Sequence, residues 1–404
     1  MPKILVVTLK LPLPMTGACE ADCATGILQL KKLGFDVRVI AKTVQDQTPE
    51  RIREVSKKLG AEIIPASFKF DTKASEVQKF KEYFFRFLKN PLILDGAAFE
   101  YSDPELKTIL ASQVIGWKPD LVWFDSTQMW PLYDIVRRNH VPIITRSQNF
   151  EPLHFLEEHG FGFLGYLRFL PKLISEIMTV KKSDLIFAIT PKEAKIYQKL
   201  GAKEVAVLPL RGLWDCLKES RKIKDKEKLN VFYIGSSYDV YHMRKNAEFI
   251  IKEIVPRINK LAPDKFCFNF FGSKFPQDFQ RYLGVDIIYK GYTRDLDNDL
   301  ADMDIALIPS FGGAGMKRKI FESLARGIPT ITSAEGVAGY PLKEGQEILL
   351  ASSADEFVQR LIELEDIALR KRLSGNSLKF CSGLFSQKAF DQLVLERINQ
   401  YVRH

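Results

Sequence analysis

Short apolar runs rich in β-branched and aromatic residues alternate along this chain with longer stretches whose apolar positions recur at helical spacing. Lys3–Thr8, Val37–Ile40, Asp120–Phe124, Pro142–Thr145, Asp184–Ile189 and Val205–Leu208 read as strands, and amphipathic stretches such as Gly26–Leu33 and Glu193–Leu200 lie between them. That alternation predicts βαβ units and a parallel, doubly wound sheet. The pattern stops at Lys218–Lys228, a charged stretch with almost no core residues that reads as a linker. It then restarts: Val231–Ile234, Phe266–Phe271, Val285–Tyr289, Ile305–Ile308 and Pro329–Thr332 are the next strands. The last stretch is helical by the spacing of Phe390, Leu393, Val394, Ile398 and Tyr401. The predicted organisation is therefore a Rossmann-like α/β domain over 1–210, a linker over 211–228, a second such domain over 229–384 and a terminal helix over 385–404.

Composition narrows the class. The chain has 404 residues, 46% of them hydrophobic and 27% charged, which excludes disorder, collagen-like repeats and a disulfide miniprotein. Lys and Arg outnumber Asp and Glu, 59 to 50. The excess is spread over both halves with no basic tail, which argues against nucleic acid and for an anionic substrate or a phospholipid surface. Five scattered cysteines without metal-ligand spacing predict a reduced, cytoplasmic protein. The N-terminus lacks a signal peptide pattern, and no 18-residue stretch is free of charge.

The most informative segment runs from Pro309 to Thr332, PSFGGAGMKRKIFESLARGIPTIT. A strand ends at Pro309, and Gly312, Gly313 and Gly315 precede a helix with Ile320, Phe321, Leu324 and Ala325 inward. Gly327 ends that helix and Pro329 opens the next strand. Glycines ahead of a helix let backbone N–H groups approach a phosphate, and a helix N-terminus favours negative charge. Lys317 and Lys319 stand in the first turn, where the dipole alone disfavours cations. A bound anion reverses that sign. Glu322, one turn on, can accept two hydrogen bonds from a ribose diol. Arg326 reads as outward-facing, and neither Lys319 nor Glu322 is assigned to the core.

These residues resemble the donor-site motif of the GT-B-fold glycosyltransferases, in particular glycosyltransferase family 4 (group 1), where a Gly-rich loop, basic residues and a Glu precede Leu-Ala-x-Gly-x-Pro. Glu322-Ser-Leu-Ala-Arg-Gly-Ile-Pro329 fits that pattern, and Gly336-Val-Ala-Gly339 looks like the family's second glycine loop. Phe232-Tyr-Ile-Gly235 with Arg244-Lys-Asn246 is similar to the first strand and phosphate-binding lysine of the second domain, and Gly291-Tyr-Thr-Arg294 to the loop that touches the base. The resemblance implies two Rossmann-like domains facing a cleft, with the C-terminal helix crossing back. It implies donor contacts from Gly235, Lys245, Tyr292, Gly313, Gly315, Lys317, Lys319 and Glu322. Acceptor-side candidates are Gly17, Asp125, Asn149, Glu151 and His154. It also implies transfer of a hexose with retention, without a metal or cofactor. Two positions depart from the pattern: Ala314 stands where the family often has a first Glu, and Gln148 where it often has a His. They keep open a non-catalytic nucleotide-sugar-binding protein, beside a sugar-nucleotide epimerase of the same fold.

Asp295-Leu-Asp-Asn-Asp299 mimics a metal motif, but acids there suit a helix start. Gly160-Phe-Gly-Phe-Leu-Gly165 matches a dinucleotide fingerprint without the strand that should lead into it. Phe80, Tyr83, Phe84 and Phe87 recur at helical spacing among Lys79, Lys81, Arg86 and Lys89, and Phe161–Val180 is apolar with Arg168 and Lys172 interposed. Each stretch fits packing on the first sheet or contact with a membrane surface. With the net positive charge, they make a glycan or lipid-linked acceptor, polysaccharide biosynthesis and a peripheral contact with an anionic membrane the expectation.

Overall fold

The computed structural model describes residues 1–14, 18–43, 48–67, 76–159, 162–293, 295–311 and 315–402. The chain divides into two compact units. The first comprises Met1–Phe155, Phe161–Gly212 and Gln387–His404, and the second Leu156–Gly160 and Leu213–Ser386.

The first unit is built on seven parallel strands: β1 (Lys3–Thr8), β2 (Asp36–Thr43), β3 (Glu62–Ser67), β4 (Leu121–Phe124), β5 (Ile143–Arg146), β6 (Leu185–Ala188) and β7 (Val205–Val207). Their order is β3-β2-β1-β4-β5-β6-β7. The central strands read ILVV and LVWF and are buried along their length, as a sheet covered on both faces requires. β3 carries Pro65, which lacks an N–H and is tolerated because β3 is an edge strand. That proline hides β3 from a reading of strand-like runs. The helix Gln387–Asn399 buries Phe390, Val394 and Ile398, three positions at i, i+4, i+8. It is tied within this unit by Gln29 Nε2 to Asp391 Oδ1 at 2.9 Å and by Tyr401 Oη to the backbone oxygen of Asp184 at 3.2 Å.

The second unit has six parallel strands: β8 (Leu229–Ser237), β9 (Phe266–Ser273), β10 (Ile287–Gly291), β11 (Ile305–Ile308), β12 (Thr330–Thr332) and β13 (Leu349–Leu350), ordered β10-β9-β8-β11-β12-β13. Its core joins Val231, Tyr233, Phe268, Phe270, Ile305 and Leu307 from the strands to Ile250, Ile254, Phe357 and Leu361 from the helices. Both units are thus doubly wound parallel sheets. β13 is two residues long, too short to show as a run.

Of residues 211–228, read as a linker, all but Arg211 and Gly212 lie within the second unit. Leu213 and Cys216 are buried. One Arg221 nitrogen donates to the backbone oxygens of Leu300, Ala301 and Met303. Lys226 pairs with Asp304 and Lys228 with Asp286, at 2.8 and 2.7 Å. The charge that makes this stretch look solvated is what fastens it. Among the described residues, no helix is long and apolar enough to cross a membrane.

Candidate functional site

In the second sheet the chain leaves β8 toward β9 on one side and β11 toward β12 on the other. The loops after β8 and β11 therefore flank a topological switch point, where open α/β sheets place ligands beyond their strand ends. Each loop leads into a helix without a side-chain N-cap, Tyr241–Phe249 after β8 and Arg318–Ala325 after β11. Asn246 holds the two together by donating Nδ2 to the Pro309 carbonyl at 2.9 Å.

The helix Arg318–Ala325 turns Ile320, Phe321, Leu324 and Ala325 into the core. Lys317 occupies its N-cap, so Lys317, Arg318 and Lys319 are consecutive cations at the positive end of the dipole. Lys319 is half-buried, with Nζ 5.0 Å from the Tyr233 ring centroid and 2.9 Å from Met243 Sδ. Arg318 donates Nε to Glu322 Oε1 at 2.6 Å, and the Cys216 thiol lies 3.9 Å from the same oxygen. Gly315 has φ of 80°, the left-handed region a side chain would resist. At Gly336 a Cβ would fall 2.5 Å from Thr332 Oγ1 and 2.6 Å from Ile320 Cδ1, so the loop before Gly339 packs directly on this helix.

The sequence-predicted donor residues fall into place unevenly. Gly235 ends up buried near the end of β8, and Lys245 is exposed on the helix that follows, 6.0 Å from the Tyr241 ring. Tyr292 is two-thirds exposed after β10. Gly312, Gly313, Ala314 and Arg294 lie outside the described residues. Two assignments change. Glu322 is buried, at 9% exposure, and Arg326 is buried rather than outward, donating Nε to Asp297 Oδ1 at 2.8 Å. Asp297 also pairs with Lys218, and Asp295 caps its short helix through the Asn298 N–H. These contacts engage Asp295 and Asp297, two of the three acids that mimic a metal motif. Arg244 pairs with Asp278 at 2.9 Å, whereas the neighbouring Lys245 is exposed. Arg318 and Asn246 were missed. The spacing of Arg318 four residues before Glu322 is the signal that could have found the first.

The first unit has its own switch point, between β1 and β4. Gly17, after β1, lies outside the described residues. Asp125, after β4, is 2% exposed and accepts from Trp123 Nε1 at 2.8 Å, so it faces the interior rather than an acceptor. Beside it Asp22 accepts the Arg211 N–H at 2.6 Å and one Arg211 guanidinium nitrogen at 2.9 Å, and Arg146 Nε stands 3.2 Å away. Burial by itself raises the Asp22 carboxyl, but the two guanidiniums outweigh it and hold the group well below the usual carboxylate range.

Asn149, Glu151 and His154 follow β5. Asn149 and Glu151 sit over a second buried network. Glu176 is fully buried. Its Oε1 faces the Thr127 hydroxyl at 2.9 Å and the Glu151 N–H at 3.1 Å, and its Oε2 accepts from the Tyr197 hydroxyl at 3.0 Å. Tyr197 in turn meets Ser147, which donates to the Asn149 carbonyl at 3.0 Å. Burial, reinforced by the charge of Glu151, pushes the Glu176 carboxyl up to about 8. His154 is half-buried on the helix Glu151–His159.

Residues 228–366 match the family described as Glycosyl transferases group 1. The matched span begins at the start of the second sheet and lies wholly within the second unit. The fold of the whole chain is that of the GT-B glycosyltransferases. Anabaena HepE in complex with UDP aligns at a TM-score of 0.66 and 12% identity, covering 98% of this chain and 100% of its own. Sucrose-phosphate synthase from Thermosynechococcus elongatus aligns at 0.68 and 13%, covering 99% of each chain. A mutant S. aureus TarM in complex with Fondaparinux, α-GlcNAc-glycerol and UDP aligns at 0.65 and 9%, covering all of both. No curated protein matches by sequence. Lys317, Arg318, Lys319 and Glu322 all fall within the matched span.

Proposed function

We propose that the protein is a glycosyltransferase that moves a hexose from a nucleoside-diphosphate sugar to a hydroxyl of a glycan or lipid-linked glycan. The observation that carries this reading is the run Lys317-Arg318-Lys319 at an uncapped helix N-terminus on the switch point of the second sheet. Three cations against a helix dipole are unfavourable alone and become favourable around an anion such as a diphosphate. Lys245, on the neighbouring helix, adds a fourth.

When the bond from the anomeric carbon to the diphosphate breaks, its electron pair stays on the phosphate oxygen. The helix N–H groups, Lys317, Lys319 and Lys245 stabilise that growing charge, which is the work a bound divalent cation does elsewhere. Glu322, fixed by Arg318, accepts from the ribose hydroxyls, and Tyr292 lies beside the base. The acceptor oxygen enters from the face the phosphate leaves, so configuration is retained, and the departing phosphate takes its proton. In the first unit Gly17, Asn149, Glu151 and His154 contact the acceptor, while Asp125 acts through packing. Structures of the same fold that hold UDP, or UDP with a glycoside, support the donor class. The five free cysteines fit a reducing, cytoplasmic setting, and we place the enzyme in polysaccharide biosynthesis at the inner face of a membrane.

The test is incubation with labelled nucleotide sugars, with and without a membrane extract, followed by product analysis. Transfer that retains anomeric configuration and survives a chelator is the expected result. Isomerised donor without transfer identifies an epimerase, and donor binding without turnover identifies a binding protein. Either outcome overturns the proposal.

A further inference from the structure

The helix Glu76–Lys89 is built inside out. Val77, Phe80, Phe84, Phe85 and Leu88 are 49–69% exposed, whereas Arg86 is 7% exposed. At 100° per residue, Val77, Phe80, Phe84 and Leu88 fall within about 80° of one another, and Arg86 points the opposite way. Arg86 faces inward because it has partners there. It donates to Asp103 Oδ2 at 2.9 Å and to the Phe99 carbonyl at 3.0 Å, and its guanidinium lies 4.5 Å from the Phe99 ring centroid. That anchor fixes the rotation of the helix and leaves the aromatic side chains outward.

The helix Phe163–Lys182 repeats the arrangement. Its inner side carries Ser175, Glu176 and Thr179, all buried, and Lys172 reaches Asp95 at 3.5 Å. Tyr166, Leu167 and Leu170 are more than half exposed. Both helices are fastened to one short helix, Gly96–Tyr101: the first through Arg86 and Phe99, the second through Asp95, which is that helix's N-cap. The link from the first of them to Gly96–Tyr101 exposes Leu92 and Leu94. Ten of the nineteen large apolar side chains exposed among the described residues therefore belong to these three stretches. Soluble surfaces rarely gather so many without a partner.

The exposed charges select the partner. Lys81, Lys89 and Arg168 stand beside the apolar positions, and Glu82 is the one exposed acid among the described side chains of the two helices. Aromatic and aliphatic side chains edged by cations match a bilayer interface with anionic headgroups. We propose that the outward faces of Glu76–Lys89 and Phe163–Lys182, with Leu92 and Leu94 just after the first, seat the protein on an anionic phospholipid surface, chiefly by insertion of apolar side chains. The link of this surface to function rests on the lipid-linked acceptor proposed above, but the surface is testable without it.

The experiment is flotation of the full chain with vesicles of phosphatidylcholine alone or mixed with phosphatidylglycerol, alongside donor titration of the same preparations. The wild type is expected to float with the mixed vesicles. The double variant Phe80→Ser/Phe84→Ser, and separately Leu167→Ser/Leu170→Ser, should weaken flotation by at least about tenfold. Both keep folding and donor affinity, because their side chains are exposed. Lys81→Gln/Lys89→Gln should lose only about two- to fivefold, and high salt should reduce flotation without abolishing it. Three results would overturn the proposal: no flotation of the wild type, wild-type flotation by both serine variants, or a dimer in light scattering that Phe84→Ser dissociates and vesicles do not. Lost donor binding with flotation intact would count against the proposed transfer and leave this surface standing.

Discussion

The two sheets share one topology yet treat charge at their switch points in opposite ways. In the first unit the charged groups beside β1 and β4 are buried and answered: Asp22 by Arg146 and Arg211, Asp125 by Trp123. In the second, basic residues gather at a helix N-terminus and remain half-buried at the surface. A buried, compensated charge is committed to structure. A cation set against a helix dipole is poised for something that arrives. The same fold thus carries one switch point whose charges are sealed inside and one whose cations reach the surface, and the difference lies in burial rather than in residue types.

The comparison breaks most severely at Asp22. Asp22→Ala leaves Arg146 and Arg211 buried without their acid, at a cost of about 3–5 kcal/mol. Urea unfolding should show that loss, and much of the protein should become insoluble. The paired wild-type carboxylate contributes stability above the ordinary carboxylate range that is lost as pH falls through its depressed value. A variant as stable as the wild type would mean that the first unit's network is ornamental.

A pH-dependent effect, shallower at any one pH, is expected at Glu176. This carboxyl titrates higher in the folded protein than in the unfolded chain, so the folded state holds the extra proton between them. Stability should fall as pH rises from about 4.5 to about 8, by up to about 1.4 kcal/mol per unit from this group. Glu176→Gln removes that slope; its Oε1 still accepts from Thr127 and the Glu151 N–H, and its Nε2 donates to the Tyr197 hydroxyl, which turns to donate to Ser147. Thermal melts of both proteins at pH 6, 7 and 8 check it, and parallel curves would contradict it. Glu151 is the neighbouring carboxyl that must be held constant.

Much of this contrast was legible in sequence, and what was not has physical causes. Eleven of the thirteen strands among the described residues stand out as β-rich runs. β3 is disguised by Pro65 and β13 by its brevity. The helix Arg318–Ala325 is visible because glycine, lysine and apolar spacing report local geometry. Pairing is not local. Arg326 reads as a surface residue until Asp297, 29 positions away, is found beside it. Lys226 and Lys228 read as solvated until Asp304 and Asp286 are seen. Periodicity likewise reveals that Glu76–Lys89 is amphipathic but not which side is buried; Asp103 decides that by claiming Arg86.

The central claim is that the basic helix start of the second unit holds a nucleoside diphosphate. Calorimetric titration of UDP into Lys319→Ala and Glu322→Gln, with the exposed Lys371→Ala as control, tests it directly. Loss of the lysine should weaken binding by about 1.5–3 kcal/mol, ten- to hundredfold, and loss of the carboxylate by a similar factor. The control should bind as the wild type. Unchanged affinity in both site variants, with folding intact, would contradict the account and leave the GT-B fold without its donor site.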